Sequence, residues 1–311
     1  MVDMSRRSSI KYLAAGIGIM VIGTHFNAYS SRKRIRLGGP ILQKWQDPEE
    51  WAQWHQKLGY AAALCPVAFS DPSDLVQEYM RVAQRFDITI AEVGAWSNPL
   101  SSDPSTRTTA IEKCQQQLDL ADRMGACCCV NISGSRGSQW DGPHSLNLTE
   151  ETFDLIVETM RTIIDRVKPK RTFFTLETMP WAFPDSADAY LRLLNAIDRK
   201  QFAVHLDPVN LICSPQRYYA NGQVIKECFA KLGAHIKSCH AKDIILGPEW
   251  VTHLQEVRPG LGGLDYPVYL RELSRLTEAP LILEHLKTEA EYAQAADFIR
   301  STAAQLQIAI S

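Results

Sequence analysis

The sequence lacks a marked excess of either charge, which limits the partners that it can bind. Its 33 basic and 35 acidic residues give a formal net charge of −2, and its isoelectric point is near 6.5. Proteins that bind nucleic acid usually carry a basic excess or a clustered basic face. The one dense basic run, at residues 32–36, is typical of a solvated segment. We therefore predict no nucleic-acid partner.

Apolar runs long enough to cross a membrane are also missing. The run Tyr12–Ile22 has about 11 residues, whereas a membrane-spanning helix needs about 20. Paired arginines, Arg6 and Arg7, precede this run, and small residues follow it up to Ser30, which is the order of a twin-arginine export signal. We predict that residues 1–30 are this signal, that the protein is exported, and that it has no stable membrane span. A cytoplasmic protein that keeps the segment as a tail is the alternative.

Cysteine occurs eight times but never as a Cys-x-x-Cys pair, so the sequence does not support a thiolate zinc site. Cys127, Cys128 and Cys129 are consecutive in an apolar run. In a strand, neighbouring side chains point to opposite faces and cannot easily form a disulfide with each other. We predict that these three residues are reduced thiols on a buried strand.

Residues 31–311 show the alternation that is typical of a parallel α/β fold. Short apolar runs alternate with longer amphipathic segments, and no large linker divides them. Eight parallel strands close a TIM barrel, so we predict a single-domain (β/α)8 barrel that follows the export leader. The predicted strands are Ile35–Gly38, Ala61–Cys65, Thr89–Val93, Cys127–Ile132, Thr172–Glu177, Phe202–Asp207, Ile236–His240 and Leu281–Glu284.

Three Asp-Pro pairs mark predicted helix starts in this barrel. An aspartate can cap the first turn, and a proline is favoured at the first helical position because its missing N–H needs no partner there. The pairs are Asp47-Pro48, Asp71-Pro72 and Asp103-Pro104.

The last four predicted strands each end in a side chain that can bind a metal: Glu177, Asp207, His240 and Glu284. Active sites of TIM barrels lie at the carboxyl ends of the strands. Three carboxylates packed there would raise one another's pKa, and a divalent cation would remove this conflict. Three oxygens and one nitrogen suit Mn²⁺, which we favour, or Mg²⁺, Co²⁺ or Zn²⁺. The alternative is that each residue is an isolated polar side chain in a loop.

Other residues near the strand ends are predicted to contact the substrate. Aromatic side chains can stack on a sugar face, although the tryptophans would equally suit packing at the barrel mouth, and the histidine could be a surface residue. His205 lies two residues before Asp207, so it should face the same side and support the ion from behind. Asp243 is predicted to pair with its neighbour Lys242. The predicted substrate-binding residues are Trp96, Trp181, Asn210, Lys242, Arg258, His144 and Glu92.

Five segments carry a family resemblance that covers nearly all of residues 34–305. The sequence resembles the xylose-isomerase-like barrel superfamily and, within it, the ketose 3-epimerases. This resemblance implies that the four ligands hold one ion and that Glu177 and Glu284 form the acid–base pair. The segments are Leu176–Trp181, His205–Asn210, His240–Asp243, Arg258–Gly263 and Leu283–His285.

The superfamily also includes apurinic-site endonucleases, which bind three zinc ions through additional histidines. Here Asn210 stands where a further histidine would be expected, and no Asp-x-His follows His240. The resemblance therefore does not extend to DNA repair. A histidine near Asn210 commonly touches the sugar in the epimerases, so this position also leaves the substrate open.

These features predict a sugar isomerase or epimerase that depends on a divalent metal. It would remove a proton next to a carbonyl and pass through an enediolate. The substrate would be a small sugar or keto-sugar, and the sequence leaves a homo-oligomer open. Two alternatives remain: a lyase or dehydratase acting on a keto-sugar, keto-inositol or 3-keto-glycoside, and an exported sugar-binding barrel without catalysis.

Overall fold

Eight parallel strands form a closed barrel in the computed structural model, which describes residues 34–276 and 279–311. The predicted signal, residues 1–30, lies outside the described residues. Around the barrel the strands follow the order β1-β10-β7-β6-β5-β4-β3-β2. Their bounds are β1 Leu37–Gly38, β2 Ala62–Leu64, β3 Thr89–Gly94, β4 Cys128–Asn131, β5 Phe174–Glu177, β6 Phe202–Leu206, β7 Ile236–Ala241 and β10 Leu281–Leu283.

The predicted (β/α)8 barrel is therefore confirmed, and Lys33–Ser311 form one compact unit. Helices follow the strands and cover the outside of the barrel with their apolar faces. Their bounds are α1 Pro48–Leu58, α2 Ser73–Arg85, α3 Pro104–Met124, α4 Glu150–Val167, α5 Ala187–Ile197, α6 Pro215–Tyr219, α7 Asn221–Leu232, α8 Tyr266–Leu273 and α9 Glu289–Gln305.

Two of the three predicted Asp-Pro helix starts are confirmed. Asp47 and Asp103 accept hydrogen bonds from backbone N–H groups in the first turns of α1 and α3. The third prediction is wrong, because α2 begins at Ser73 and its N-cap is Pro72. Asp71 instead accepts a hydrogen bond from the backbone N–H of Ala68, so it stabilises the preceding turn.

An antiparallel hairpin after β7 was not predicted. It consists of β8, Asp243–Leu246, and β9, Leu254–Val257. Asp243 does not pair with Lys242 as predicted. Its carboxylate accepts hydrogen bonds from the backbone N–H groups of Gly260, Gly262 and Leu264, and it thereby holds the loop after the hairpin.

The packed interior agrees with the predicted burial pattern. Cys128 and Cys129 of β4 are buried free thiols, as the apolar run predicted. Cys127, predicted on the same buried strand, precedes β4 and is only partly buried. Tyr190 of α5 is fully buried, and its hydroxyl bonds to backbone groups of β5 and β6. Among the described residues, no helix combines the length and the apolar character needed to cross a bilayer.

Candidate metal centre

Four predicted ligands converge at the carboxyl ends of neighbouring strands. The Nδ1 atom of His240 lies 2.8 Å from Glu284 Oε1, 3.1 Å from Glu177 Oε1 and 3.9 Å from Asp207 Oδ2. One donor atom from each of the four residues lies within 4.8 Å of all the others. The side chains of Glu177, Asp207 and His240 are almost completely buried, whereas 19% of Glu284 is exposed.

Strand register explains this convergence. In the parallel ladder, Glu177 is level with His205, and His240 is level with Ile282. Asp207 and Glu284 follow His205 and Ile282 by two residues, so each keeps the orientation of the residue two positions earlier. The β5, β6, β7 and β10 strands are consecutive in the barrel, so their last inward-facing positions share one mouth.

Lys242 is the cation that the structure places among these carboxylates. Its Nζ atom lies 2.5 Å from Glu284 Oε1, 2.8 Å from Asp207 Oδ2 and 3.6 Å from Glu177 Oε1. Burial alone would lower the pKa of Lys242, but Asp207 and the two glutamates raise it well above its usual value. The residue is therefore a buried ammonium that neutralises part of the negative charge.

The charges of the cluster shift the pKa values of its members in different directions. Burial raises the pKa of Glu177, but the charges of His240 and Lys242 outweigh burial and bring the pKa below its usual value. The same balance lowers the pKa of Glu284, mainly through His240. For Asp207, burial prevails over the attraction of Lys242, and the pKa rises to about 6. The two glutamates are therefore ionised near neutral pH.

The pKa of His240 shifts in the opposite direction from that of an isolated buried histidine. Burial favours the neutral ring and lowers the pKa, but Glu284, Glu92 and Glu177 together raise it well above its usual value. In the absence of a bound cation, the imidazolium is thus a charge partner of the carboxylates. A divalent ion would replace this proton.

The donor atoms fit a hard or borderline divalent ion. Asp207 Oδ2 and Glu284 Oε1 are buried, yet they accept no well-oriented hydrogen bond from the described residues. Such atoms are costly unless a cation or another partner satisfies them. Three carboxylates and one imidazole match the ligand preferences of Mn²⁺, Mg²⁺, Co²⁺ or Zn²⁺. The Lys242 ammonium is the competing cation, and its flexible stem would let it withdraw from an ion.

A buried carboxylate beneath the cluster holds His240 from the far side of the ring. Glu92 of β3 lies 3.3 Å from His240 Nε2 and 3.0 Å from His205 Nε2, and the Ser238 hydroxyl donates to it. His205 therefore lies behind the ligands, where it was predicted. Glu92, predicted to bind substrate, is only 2% exposed and contacts both histidines instead. A carboxylate that accepts the Nε2 proton leaves Nδ1 free to bind a metal.

A cavity of about 570 Å³ opens beside the ligand cluster, where Glu177 and Glu284 line it, and we call it the mouth cavity. Four of the predicted substrate-binding residues line it: Trp96, Trp181, Asn210 and Lys242. Asn210 also donates a hydrogen bond of 3.2 Å to Glu177 Oε1. The other lining residues are Ile132, Trp140, Asp141, Glu177, Met179, Pro180, Glu256, Glu284 and His285.

Besides Glu92, two other predicted substrate-binding residues do not line the mouth cavity. His144 is exposed, and its ring accepts a hydrogen bond from the backbone of Leu146. Arg258 donates to the carbonyl of Pro259. Neither contact places a side chain near the ligands, because both residues lie in loops whose paths are set by their own turns.

His285 and Glu256 were missed at the sequence level. His285 follows Glu284 directly and has a φ of 58°, a left-handed conformation that is uncommon for residues other than glycine. Its Nδ1 atom lies 3.1 Å from Glu256 Oε1, and this contact, above all, raises the pKa of His285. Glu256 lies on the unpredicted hairpin strand β9, so only the folded hairpin brings it to the cavity. The one signal in the sequence was the position of His285 next to a predicted ligand.

The fold and the ligand cluster define a TIM barrel with a candidate metal centre at the carboxyl ends of its strands. The chain belongs to the xylose isomerase-like TIM barrel family, whose model matches residues 52–302. The family resemblance noted in the sequence is thereby confirmed. No curated protein matches the chain in a sequence search.

Solved structures with the same fold include two sugar epimerases and a probable dehydratase. D-psicose 3-epimerase from Clostridium cellulolyticum H10, solved with D-tagatose, is 15% identical, with a TM-score of 0.63 over 88% of this chain and 100% of that chain. The 3-keto-D-glucoside 4-epimerase from E. coli is 12% identical, with a TM-score of 0.62 over 86% and 100%. A probable 3-DHS dehydratase from Bacillus anthracis is 16% identical, with a TM-score of 0.63 over 88% and 98%. At these identities the likeness establishes the fold.

Proposed function

We propose that this protein is a divalent-metal-dependent isomerase or epimerase that acts on a sugar or keto-sugar. The observation that carries the proposal is the convergence of Glu177, Asp207, His240 and Glu284 within 4.8 Å beside an open cavity. Family membership and the likeness to two sugar epimerases support the same reaction class.

Glu177 and Glu284 are the groups that would move protons. Both line the mouth cavity, and the charges around them keep both carboxylates ionised near neutral pH, so each can act as a base. A divalent ion bound here would act as a Lewis acid, polarising a substrate carbonyl and stabilising the enediolate. One glutamate would take the proton from the carbon next to the carbonyl. The other, after taking up a proton from solvent, would return it to the opposite face, which inverts that carbon. The first glutamate would then release its proton to solvent.

Three further side chains would orient the substrate. Asn210 holds one oxygen of Glu177 and can reach a sugar hydroxyl with its remaining amide groups. Lys242 can donate to an oxygen that gains negative charge. The indole of Trp181 is fixed by a hydrogen bond of 2.7 Å from its Nε1 to the Asp141 carbonyl, and it offers a ring face to the sugar.

Solvent exchange tests the roles of the two glutamates. The Mn²⁺-loaded wild-type protein is incubated with ketoses, keto-inositols and 3-keto-glycosides in D2O, and deuterium at the carbon next to the carbonyl is followed by NMR. Glu177→Gln and Glu284→Gln should each slow exchange at least about 100-fold, because each removes a positioned base. Glu151→Gln, an exposed change at the start of α4, is the matched control. Wild-type exchange rates in both cavity variants would contradict the proposal.

Metal removal tests the role of the ion separately. Dialysis against EDTA should abolish exchange, and adding back Mn²⁺, Mg²⁺, Co²⁺ and Zn²⁺ one at a time should restore it to different extents. Full exchange by protein that elemental analysis shows to be metal-free would exclude the metal-dependent reaction. A protein that binds sugar but never exchanges protons would instead be the sugar-binding barrel.

A dehydratase or lyase acting on a keto-sugar, keto-inositol or 3-keto-glycoside is the second candidate. The position of Lys242 favours it, because an ammonium 2.5 Å from Glu284 can protonate a hydroxyl that leaves from the carbon beyond the enediolate. The fold likeness to a probable dehydratase is consistent with this chemistry. The same NMR experiment separates the two, since elimination consumes the ketone and forms an unsaturated product.

A further inference from the structure

A second depression lies beside the mouth cavity, between the start of α3 and the loop after β4. It has a volume of about 450 Å³, and we call it the outer pocket. Trp96 and Trp140 line both cavities, so the two indoles form the boundary between them. The mouth cavity, of about 570 Å³, already exceeds the space that one sugar ring needs, and the outer pocket extends it away from the metal ligands.

The outer pocket is built from loops that hold each other in place. The buried side chain of Asn98 donates to the Ser135 carbonyl over 2.9 Å and accepts from the Ser135 N–H over 3.0 Å. Arg136 donates to the Leu100 carbonyl over 3.0 Å, which ties the same two loops together again. Because Trp96 lies on one loop and Trp140 on the other, these bonds hold together the two loops that carry the indoles.

Backbone contacts also fix the Trp96 indole itself. A side chain on Gly94 would collide with its ring, so glycine at that position allows the indole to lie against the strand. Lys113 of α3 donates to the Trp96 carbonyl over 2.9 Å, so its ammonium is engaged with the wall of the pocket. The pocket therefore presents a preformed aromatic edge.

The chemistry of the outer pocket suits a neutral polyhydroxyl ring. Opposite the indoles, Ser105, Thr106 and Thr109 from the first turns of α3 supply hydroxyl groups. Hydroxyls can both donate and accept hydrogen bonds, as sugar hydroxyls do, and an indole face packs against the C–H face of a sugar. Pockets of this size typically hold small organic ligands.

We propose that the outer pocket binds a second sugar ring, so that the substrate is a keto-sugar with a free carbonyl that carries this ring on one of its hydroxyls, and not a free monosaccharide. This inference rests on the proposed function for the ring that lies over the metal centre. Binding energy from the remote ring would then help to position the reacting ring over Glu177 and Glu284.

Filling the outer pocket tests this inference. Thr109 is exposed and lines the pocket, so Thr109→Trp should occupy the space of the second ring. Thr108 is the neighbouring residue on the same helix; it is also exposed but does not line the pocket, so Thr108→Trp is the matched control. Ser105→Trp gives a second filled pocket if the first variant does not fold, as judged by circular dichroism.

Calorimetry would compare D-fructose with three disaccharides that carry a second sugar ring on a fructose hydroxyl and keep its carbonyl free: lactulose, isomaltulose and turanose. The Mn²⁺-loaded wild-type protein should bind at least one disaccharide about tenfold more tightly than D-fructose, and this preference should fall below about threefold in the filled variants. Thr108→Trp should keep the preference. Equal affinity for D-fructose and all three disaccharides, or a preference that survives both fillings, would overturn the inference.

Deuterium exchange on the same sugars tests the proposed reaction separately from the binding of a second ring. Exchange on D-fructose without any gain from a second ring would leave the isomerase intact and reject the subsite. Disaccharide binding that is sensitive to Thr109→Trp, with no exchange on any of the sugars, would support the subsite and count against the reaction.

Discussion

Replacing Glu92 with glutamine perturbs the candidate metal centre but leaves its four candidate ligands unchanged. The carboxylate faces three hydrogen-bond donors: His205 Nε2 at 3.0 Å, His240 Nε2 at 3.3 Å and the Ser238 hydroxyl. A glutamine keeps one acceptor oxygen but turns the other position into an NH₂ donor. Wherever this NH₂ faces a ring N–H, two donors meet, and the imidazole must change tautomer or move.

The expected loss of metal affinity depends on which ring nitrogen of His240 is protonated in the variant. If its Nε2 becomes the acceptor, Nδ1 carries the proton and can no longer bind an ion. If the NH₂ group instead faces His205 and Ser238, those two residues must rearrange their hydrogen bonds. His240 then loses only the negative charge behind its ring. Loss of such a supporting partner typically lowers metal affinity 10- to 100-fold, or about 1.4–2.8 kcal/mol. We expect Glu92→Gln to fall in this range.

Isothermal titration with Mn²⁺ at pH 7.5 measures the effect directly. Ser238→Ala is the matched control, because it removes one donor to Glu92 but keeps the carboxylate and both histidines. It should change the affinity less than about threefold. Thermal unfolding of the metal-free proteins would separate a metal effect from a loss of stability. Wild-type Mn²⁺ affinity in Glu92→Gln, within threefold, would refute the positioning role of this carboxylate.

Two further predictions concern protons and packing. Metal affinity should rise with pH by up to about tenfold per unit, because the raised pKa of His240 makes the ion compete with its proton. The slope should steepen below pH 6, where Asp207, with a pKa of about 6, also takes up a proton. A flat profile in Mn²⁺ titrations from pH 5.5 to 8.5 would contradict this prediction. Tyr190→Phe should lower the free energy of unfolding by about 1–3 kcal/mol, since the lost hydroxyl bonds to Leu176 and Ala203 inside the barrel wall. Urea unfolding measures this change, and Tyr219→Phe is the control because Tyr219 is 80% exposed. The free energy of unfolding of this control should stay within about 0.5 kcal/mol of wild type. An equally small change in Tyr190→Phe would contradict the prediction.

Local patterns in the sequence were sufficient to predict the barrel and to group the four candidate ligands. Each strand can be located in the sequence from its own short apolar run. Parallel strands in a closed barrel bring their carboxyl ends to one mouth. Glu177, Asp207, His240 and Glu284 could therefore be grouped although up to 107 positions separate them. Helix capping was less predictable, since an Asp-Pro pair such as Asp71-Pro72 serves a turn as readily as a helix start.

Other features depend on contacts that no local pattern encodes. Glu92 meets His205 across the barrel interior over a sequence separation of 113 positions, whereas the sequence predicted it only as a substrate-binding residue. Glu256 reaches the mouth only because the hairpin of β8 and β9 folds over it. The outer pocket exists because Asn98 and Ser135 join two loops, and loop paths follow from such individual hydrogen bonds and not from periodicity. The sequence by itself thus determined which groups meet in the candidate metal centre, through the regular geometry of strands, whereas tertiary structure alone decided what surrounds those groups.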